Sequence, residues 1–299
     1  MKKVKTAILT GGTGYIGKHV TKNLLVDGWR VIHLLRKRKN KKICNDKVKC
    51  YNIENKFTNS RILKNLNKKN TIFIHLASYS SIKDEEKNYQ NYIDSNISLG
   101  VKLLSFMQKN SFNKLIISET YWQFNQKGEF LGNSLYSETK NCFSNIAKYF
   151  HRKYNFSVLC LVLYDVYGPD DNRRKILNMI INSYKNRLIL KLTPGKQVVD
   201  YTFIDDVAMA FVIAANKMLL VNKNKFIRNT VRSMNEKKFK NYIKIAQNVL
   251  NLKFKIKWSG KNYPKHQIMK PWLPSSKWLL KSWSAKKTFS YYIEKFLIK

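Results

Sequence analysis

Acidic residues are scarce in this chain: 18 Asp and Glu stand against 57 Lys and Arg over 299 residues, a net charge of +39. Such an excess ordinarily points to nucleic acid or an anionic membrane as partner. Here the lysines run through every segment beside many Asn, Ile and Tyr, as a codon bias would scatter them, and only Arg36-Lys37-Arg38-Lys39-Asn40-Lys41-Lys42 is a dense run. A nucleic-acid partner is therefore not expected, whereas the positive field would draw in a nucleotide diphosphate or a phosphorylated cofactor. Cysteine is sparse as well. Cys44, Cys50, Cys142 and Cys160 form no C-x-x-C pair and meet no His-rich segment, so neither a metal site nor a disulfide framework is expected, and a reduced cytoplasm fits. Long apolar runs are missing. No stretch approaches the length of a membrane span, and the one after Met1-Lys2-Lys3 stops in glycines at Thr10, short of the apolar region of a signal peptide. Internal repeats and low-complexity linkers are absent too.

What the chain does have is a 44% hydrophobic composition, enough for a large core, and one stretch around which the rest is arranged. Val4-Lys5-Thr6-Ala7-Ile8-Leu9-Thr10 reads as a strand, Gly11-Gly12-Thr13-Gly14-Tyr15-Ile16-Gly17 as a glycine turn, and Lys18 to Asp27 as a helix. Gly11 and Gly12 permit backbone angles that a Cβ disfavours, Gly14 lets the main chain approach a pyrophosphate, and Gly17 lets the helix pack close to the sheet. Amides of the first helical turn would face a bound anion, which the helix dipole also favours. The spacing is G-x-x-G-x-x-G rather than G-x-G-x-x-G. A tight turn with no ligand is the bland alternative, and the strand before and helix after argue against it.

Further strands read at Arg30 to Leu35, Val48 to Ile53, Thr71 to Ala77, Lys114 to Ser118 and Ser157 to Leu163, with helical periodicity over Tyr89 to Gln108 and Leu135 to Tyr154. Alternation of this kind predicts βαβ units and an α/β, doubly wound parallel sheet covered on both faces. The rhythm breaks at the loop Asp165-Val166-Tyr167-Gly168-Pro169-Asp170-Asp171-Asn172-Arg173-Arg174. Residues 1–165 are expected to form the dinucleotide-binding domain, with 196–225 returning to it through a helix opened by Asp205-Asp206. Residues 166–195 and 226–299 are expected to form a smaller α+β substrate lobe with a helix near Lys237 to Leu250 and a strand near Lys253 to Trp258. Trp258, Trp272, Trp278 and Trp283 read as its core, with stacking on a nucleobase as the alternative.

Tyr136-Ser137-Glu138-Thr139-Lys140 sets a phenol and an ammonium on one face of a helix. A tyrosine titrates near pH 10 when isolated, and a neighbouring ammonium favours its ionised form, so the pair suits general acid/base work nearer neutrality. Alone, such a pair is as readily a surface pair. Its place behind Ser118-Glu119-Thr120 gives it meaning, because a hydroxyl at the strand end, Thr120 or Ser118, can hold a carbonyl oxygen while Tyr136 delivers a proton and a bound cofactor supplies hydride.

With Thr10-Gly11-Gly12-Thr13-Gly14-Tyr15-Ile16-Gly17, His75-Leu76-Ala77, Asn96, Thr120, Tyr136 and Lys140, Tyr167-Gly168-Pro169 and Tyr201-Thr202-Phe203-Ile204-Asp205-Asp206-Val207-Ala208 in that order, the chain resembles the extended short-chain dehydrogenase/reductases, the NAD-dependent epimerase/dehydratase group acting on nucleotide sugars. The resemblance implies a Rossmann fold with a C-terminal substrate lobe, and a catalytic set of Thr120, Tyr136 and Lys140. Cofactor contacts implied or read from the turn are Gly11, Gly14, Tyr15, Ile16, Gly17, Ala77, Tyr136 and Lys140, the last holding the nicotinamide ribose. His75 reads as a packed residue rather than a catalyst. No metal is called for.

Two further segments, Thr120-Tyr121-Trp122-Gln123 and Asp165 to Lys175, look similar to the CDP-abequose and CDP-paratose synthase type, which reduces 4-keto deoxysugar nucleotides for O-antigen, a lipopolysaccharide component. Dehydratases of the family carry an Asp-Glu pair after the hydroxyl residue; Tyr121-Trp122 stands there instead, which disfavours dehydration. Val199 precedes Asp200-Tyr201 where many relatives carry arginine. Substrate contacts are therefore sought at Thr120, Asp165, Arg173, Arg174, Lys175 and Lys261, with ordinary solvated charge as the alternative for the basic ones. At the end of the second strand an NAD site would carry Asp or Glu, and this chain has Arg36 followed by Arg38, which favours the 2′-phosphate of NADP, with NAD as the other possibility. The expectation is a cytoplasmic NADPH-dependent reductase of a 4-keto nucleotide sugar, a homodimer being possible. Its competitors are a 4-epimerase with tightly held NAD and, from another class, a redox-sensing regulator that binds the dinucleotide without chemistry.

Overall fold

β-Branched and apolar residues occupy every position of strand β1 (Thr6–Thr10), and all five are buried, as a central parallel strand requires. In the computed structural model, which describes residues 4–36, 44–45, 47–52, 66–81, 85–171, 179–180, 183, 186, 188–251, 255–265 and 267–297, six more strands join it. They are β2 (Arg30–Leu35), β3 (Val48–Asn52), β4 (Thr71–His75), β5 (Lys114–Thr120), β6 (Ser157–Leu163) and β7 (Phe226–Val231). The sheet is parallel throughout, in the order β7-β6-β5-β4-β1-β2-β3. Strand order reverses between β1 and β4, and a crevice for a ligand opens at such a point beyond the carboxyl ends of the strands.

Successive side chains of β1 face opposite layers. Ala7 and Leu9 pack with helices α1 (Tyr15–Val26) and the later Ile204–Leu219. Ile8 packs on the other side with α2 (Leu99–Lys109) and α3 (Leu135–Tyr154). A π-helical stretch, Ile93–Ser98, leads into α2. Helix α3 begins at a capping box in which Ser134 and Ser137 satisfy each other's backbone amides, and it ends at Asn155 in the left-handed region. Ile204–Leu219 is α4. Helices α5 (Phe239–Leu250) and α6 (Phe289–Leu297) follow, with three two-stranded pairings: Asp165–Tyr167 with Tyr201–Phe203, Val198–Val199 with Lys237–Lys238, and Leu190–Lys191 with Ile256–Lys257. The doubly wound sheet expected from the sequence is thus present.

Three expectations are corrected. Phe226–Val231, placed with the substrate lobe on sequence, is the edge strand of the main sheet. Its Arg and Asn disguise it, because an edge strand is half-solvated and lacks the continuous apolar run of a central one. Cys44 and Cys50, expected as thiols, are disulfide-bonded. The side chain of Asn45 accepts the amides of Lys47 and Val48, turning the chain back so that the two Cα atoms lie 5.7 Å apart. Of the tryptophans expected in the lobe core, only Trp283 is buried, its indole donating to the Asp206 carbonyl; Trp258 and Trp278 are exposed. Among the described residues no helix is long and apolar enough to cross a membrane, and no cluster of His, Cys, Asp and Glu could hold a metal.

Candidate active site

The glycine turn is shaped by contacts that exclude a Cβ. Gly11 has φ +70°, and a Cβ there would collide with the main chain of Leu76 and Ala77, which pass directly beneath. Gly12 needs room rather than an unusual angle: its Cβ would sit 2.5 Å from Nε2 of the buried His33. Gly17 faces the Gly11 carbonyl so closely that a side chain would displace the turn from helix α1. Gly14 differs, since the nearest atom to a Cβ there is the Gly11 oxygen at 3.3 Å. Helix α1 starts at Gly14 with no side-chain cap and no acidic residue in its first turn, so its positive end is available to an anion. Tyr15 and Ile16 pack against the adjacent core.

Threonine 10 joins this turn to the loop after β4. Its hydroxyl lies 2.6 Å from Nδ1 of His75 and 3.4 Å from the Ala77 amide, which approaches it as a donor. Burial drives the His75 pKa down to about 3, with the Lys140 charge adding to the drop, so the ring is neutral at ordinary pH. This agrees with a packing role. The His75 ring also packs at a tilt against Phe143 of α3, with centroids 4.9 Å apart, so the glycine turn, β4 and α3 are braced together. From the other side, buried Asn96 donates to Thr139 Oγ1 at 3.0 Å and to the Tyr79 carbonyl, and accepts from the Tyr79 amide at 2.7 Å. Thr139 in turn donates back to the Leu135 and Tyr136 carbonyls. The first turns of α3 are thereby fixed where Tyr136 and Lys140 project.

Lys140 Nζ lies 5.9 Å from the centroid of the Tyr136 ring. Desolvation lowers the Lys140 pKa to about 8, and Glu119 opposes the fall. Thr120 ends β5 and caps a 3₁₀ turn, Tyr121–Gln123: its hydroxyl accepts from the Trp122 amide at 3.4 Å, leaving its own proton for another oxygen. Gln123 and Asn141 exchange side-chain and main-chain hydrogen bonds, one at 3.0 Å, so the Thr120 turn is stitched to α3 one residue beyond Lys140.

Around Thr120 the wall is aromatic. Tyr121 stacks on Tyr164 at 5.0 Å and donates to Asp165 Oδ2 at 2.8 Å. Phe124, Trp122 and Trp272 continue the wall, and Tyr164 donates to the Trp272 carbonyl. Arg36 ends the β2 segment exposed, with Nη1 donating to Ser95 Oγ at 2.9 Å. Arg38, Arg173, Arg174 and Lys175 lie outside the described residues. Lys261 lines a pocket of about 260 Å³ with Lys191, Ser183 and Leu190.

Three residues that sequence reasoning gave no role occupy this neighbourhood. Glu119 is 2% exposed and accepts from Arg228 Nε at 2.5 Å and from Ser144 Oγ at 2.6 Å. The signal was there in outline: one carboxylate in the apolar strand KLIISET and one guanidinium in FIRNTV, each needing a partner if buried. Arg232 is buried between Asp200, at 2.8 Å, Glu236 and the Pro274 carbonyl, which ties β7 to the strand pairing at Tyr201.

A family model described as the NAD dependent epimerase/dehydratase family matches residues 7–227. The CDP-abequose synthase of Yersinia pseudotuberculosis is 27% identical over 213 residues, covering 70% of this chain and 73% of that protein. The UDP-glucose 4-epimerase of Thermotoga maritima, solved with UDP-glucose, superposes with a TM-score of 0.81 at 20% identity over 97% of this chain and 96% of its own. The UDP-glucuronic acid 4-epimerase of Bacillus cereus, solved with UDP-glucuronic acid and NAD, gives a TM-score of 0.80 at 19% identity over 97% and 96%.

Proposed function

This chain belongs to the NAD dependent epimerase/dehydratase family, and from that premise we propose that it reduces the 4-keto group of a nucleotide-activated deoxysugar with NADPH. It is an NAD(P)-dependent enzyme of nucleotide-sugar chemistry; the reaction and the cofactor choice are the proposal. The observation that carries the reductive reading is the end of β2, where Arg36, held by Ser95, stands in place of the carboxylate that would repel a 2′-phosphate. Likeness to the CDP-abequose synthase of Yersinia supports the same choice, and the aromatic pair Tyr121-Trp122 argues against dehydration, which would use carboxylates there.

The turn Gly11 to Gly17 fits a dinucleotide: its glycines leave no side chain between backbone and pyrophosphate, and the α1 amides are uncapped. Arg36 would hold the 2′-phosphate, Ala77 would lie against the cofactor, and Lys140 would hold the nicotinamide ribose. The cofactor supplies hydride when bound. Thr120 donates its hydroxyl proton to the sugar carbonyl oxygen. Tyr136 gives that oxygen its proton, and the Lys140 ammonium lowers the cost of the phenolate that remains. Asp165 and the Tyr121–Tyr164 stack would bound the sugar, and Lys261 with Lys191 would meet the diphosphate, as would Arg173, Arg174 and Lys175.

A panel of CDP-, dTDP-, GDP- and UDP-linked 4-keto sugars assayed with NADPH tests the reading. Stoichiometric consumption of NADPH with one of them is the expected result. Nicotinamide that survives gel filtration, with interconversion of 4-epimers and no net NADPH use, would replace the reductase by a 4-epimerase.

A further inference from the structure

Burying a carboxylate costs several kcal/mol unless charge and hydrogen bonds compensate it. Glu119 is compensated completely. Arg228 grips it through Nε at 2.5 Å and Nη2 at 3.1 Å, Ser144 donates at 2.6 Å, and the buried Cys160 thiol is a further neighbour. Arg228 reaches it from β7 across the whole width of β6, passing Cys160, its own register partner. The guanidinium carbon lies over the Phe130 ring, 4.5 Å from its centroid. Ser144, which also accepts from Arg228, lies one helical turn after Lys140 on the same face of α3.

A bridge serving only to pin β7 to β5 could sit anywhere along those strands. This one sits beside Thr120, under the helical face that carries Lys140. Lys140 interacts with the neutral His75 of β4, the Tyr136 ring of its own helix and Glu119 of β5, and Glu119 in turn meets Arg228 of β7 and Cys160 of β6, which burial and Glu119 keep as a thiol. Glu119 is the anion acting on Lys140 among the described residues. We propose that Glu119, clamped by Arg228 and Ser144, is a positioning residue that supplies the counter-charge of Lys140, and that Arg228 sets how much of that charge Lys140 feels. This rests on the reading of Tyr136 and Lys140 as the acid/base pair. Desolvation makes the ammonium vulnerable, and Glu119 offsets it.

The test needs no substrate. The full chain is treated with trace acetic anhydride across pH 6 to 11 and acetylation of Lys140 is read by peptide mass spectrometry, in wild type, Glu119→Gln, Glu119→Asp and Arg228→Gln. In wild type the midpoint is expected at about 8. Glu119→Gln should move it down by about 1 unit, Arg228→Gln should move it up, and Glu119→Asp, which keeps the charge, should stay near wild type. Opposite signs are the signature, because mere loosening would hydrate Lys140 and raise the midpoint in both single variants. Upward shifts in both, or no shift in either, overturn the proposal. A wild-type midpoint near that of surface lysines overturns it without any variant, which covers the case of a variant that does not fold. The acetylation reads the charge of Lys140 whether or not Tyr136 is the acid. A normal rate in Tyr136→Phe with the expected shifts would remove the acid/base reading and leave the electrostatic link intact.

Discussion

Replacing Gly14 by Ala separates the fold of the glycine turn from its use. At φ −73° and ψ 171° Gly14 already occupies backbone space open to any residue, and the nearest atom to an added Cβ is the Gly11 oxygen at 3.3 Å. At a helix N-cap Gly is worse than Ser or Asp by only a few tenths of a kcal/mol and Ala by about 0.5–2, so Gly14→Ala should cost about 1 kcal/mol, a modest shift of the urea midpoint, with the Gly11 oxygen giving way slightly to the methyl. The methyl would stand over the uncapped amides of α1, where the pyrophosphate is proposed to sit. Losing one or two hydrogen bonds to a charged group, at about 1.5–3 kcal/mol each, weakens binding by roughly 10- to 1,000-fold or more. Isothermal titration with NADPH and NADH, beside urea denaturation of the same preparations, gives both numbers. Gly12→Ala is the counterpart. Its Cβ would fall 2.5 Å from the His33 ring, which is wholly buried and bonded to Thr21 at 2.8 Å, so overpacking of about 1–3 kcal/mol should appear as lost stability. Unchanged cofactor affinity in a folded Gly14→Ala variant, within a factor of about two, would refute the placement of the pyrophosphate on this turn.

Tyr136→Phe should lower turnover of the responsive keto sugar by about 10²- to 10⁴-fold while leaving NADPH affinity nearly intact, as fluorescence titration can check. Arg36→Ala should weaken NADPH selectively; equal weakening of NADPH and NADH would count against a 2′-phosphate site at the end of β2. Asp200→Ala leaves the Arg232 guanidinium buried beside a lost partner and should cost about 3–5 kcal/mol in urea denaturation, with the double change of Asp200 and Arg232 to apolar residues costing less than the sum. His33 and His75 have folded pKa values pushed by burial to about 4 and about 3, below the usual 6.5. The unfolded chain therefore binds more protons between those values, so stability should fall as pH drops from 6.5 towards 4. His33→Gln should flatten part of that slope in pH-dependent thermal unfolding.

The sheet was legible because β1, β4, β5 and β6 are buried on both faces and so carry apolar runs such as Leu115-Ile116-Ile117. The α3 face was legible because Tyr136 and Lys140 keep helical spacing beside a strand end. Neither clue reaches β7, whose Arg228 and Asn229 suit an edge, nor the pairing of Glu119 with Arg228, partners 109 residues apart that only the strand order brings together. The Cys44–Cys50 bond was hidden for a related reason, since it depends on a turn made by the side chain of Asn45. At Gly12 spacing suggests a need for backbone freedom, whereas the His33 ring lying under it decides the matter, a contact between strand and turn that spacing cannot reveal.

The seventh strand has a consequence for synthesis. Until the ribosome has delivered Phe226–Val231, the amides and carbonyls of β6 form an open flank, separated from their eventual partner by residues 164–225. An apolar strand left waiting in that state can pair with another nascent chain. The half-buried guanidinium of Arg228 and the buried one of Arg232 arrive with the strand that closes it, so the docking that shields the flank also completes the two ion-pair networks at Glu119 and Asp200.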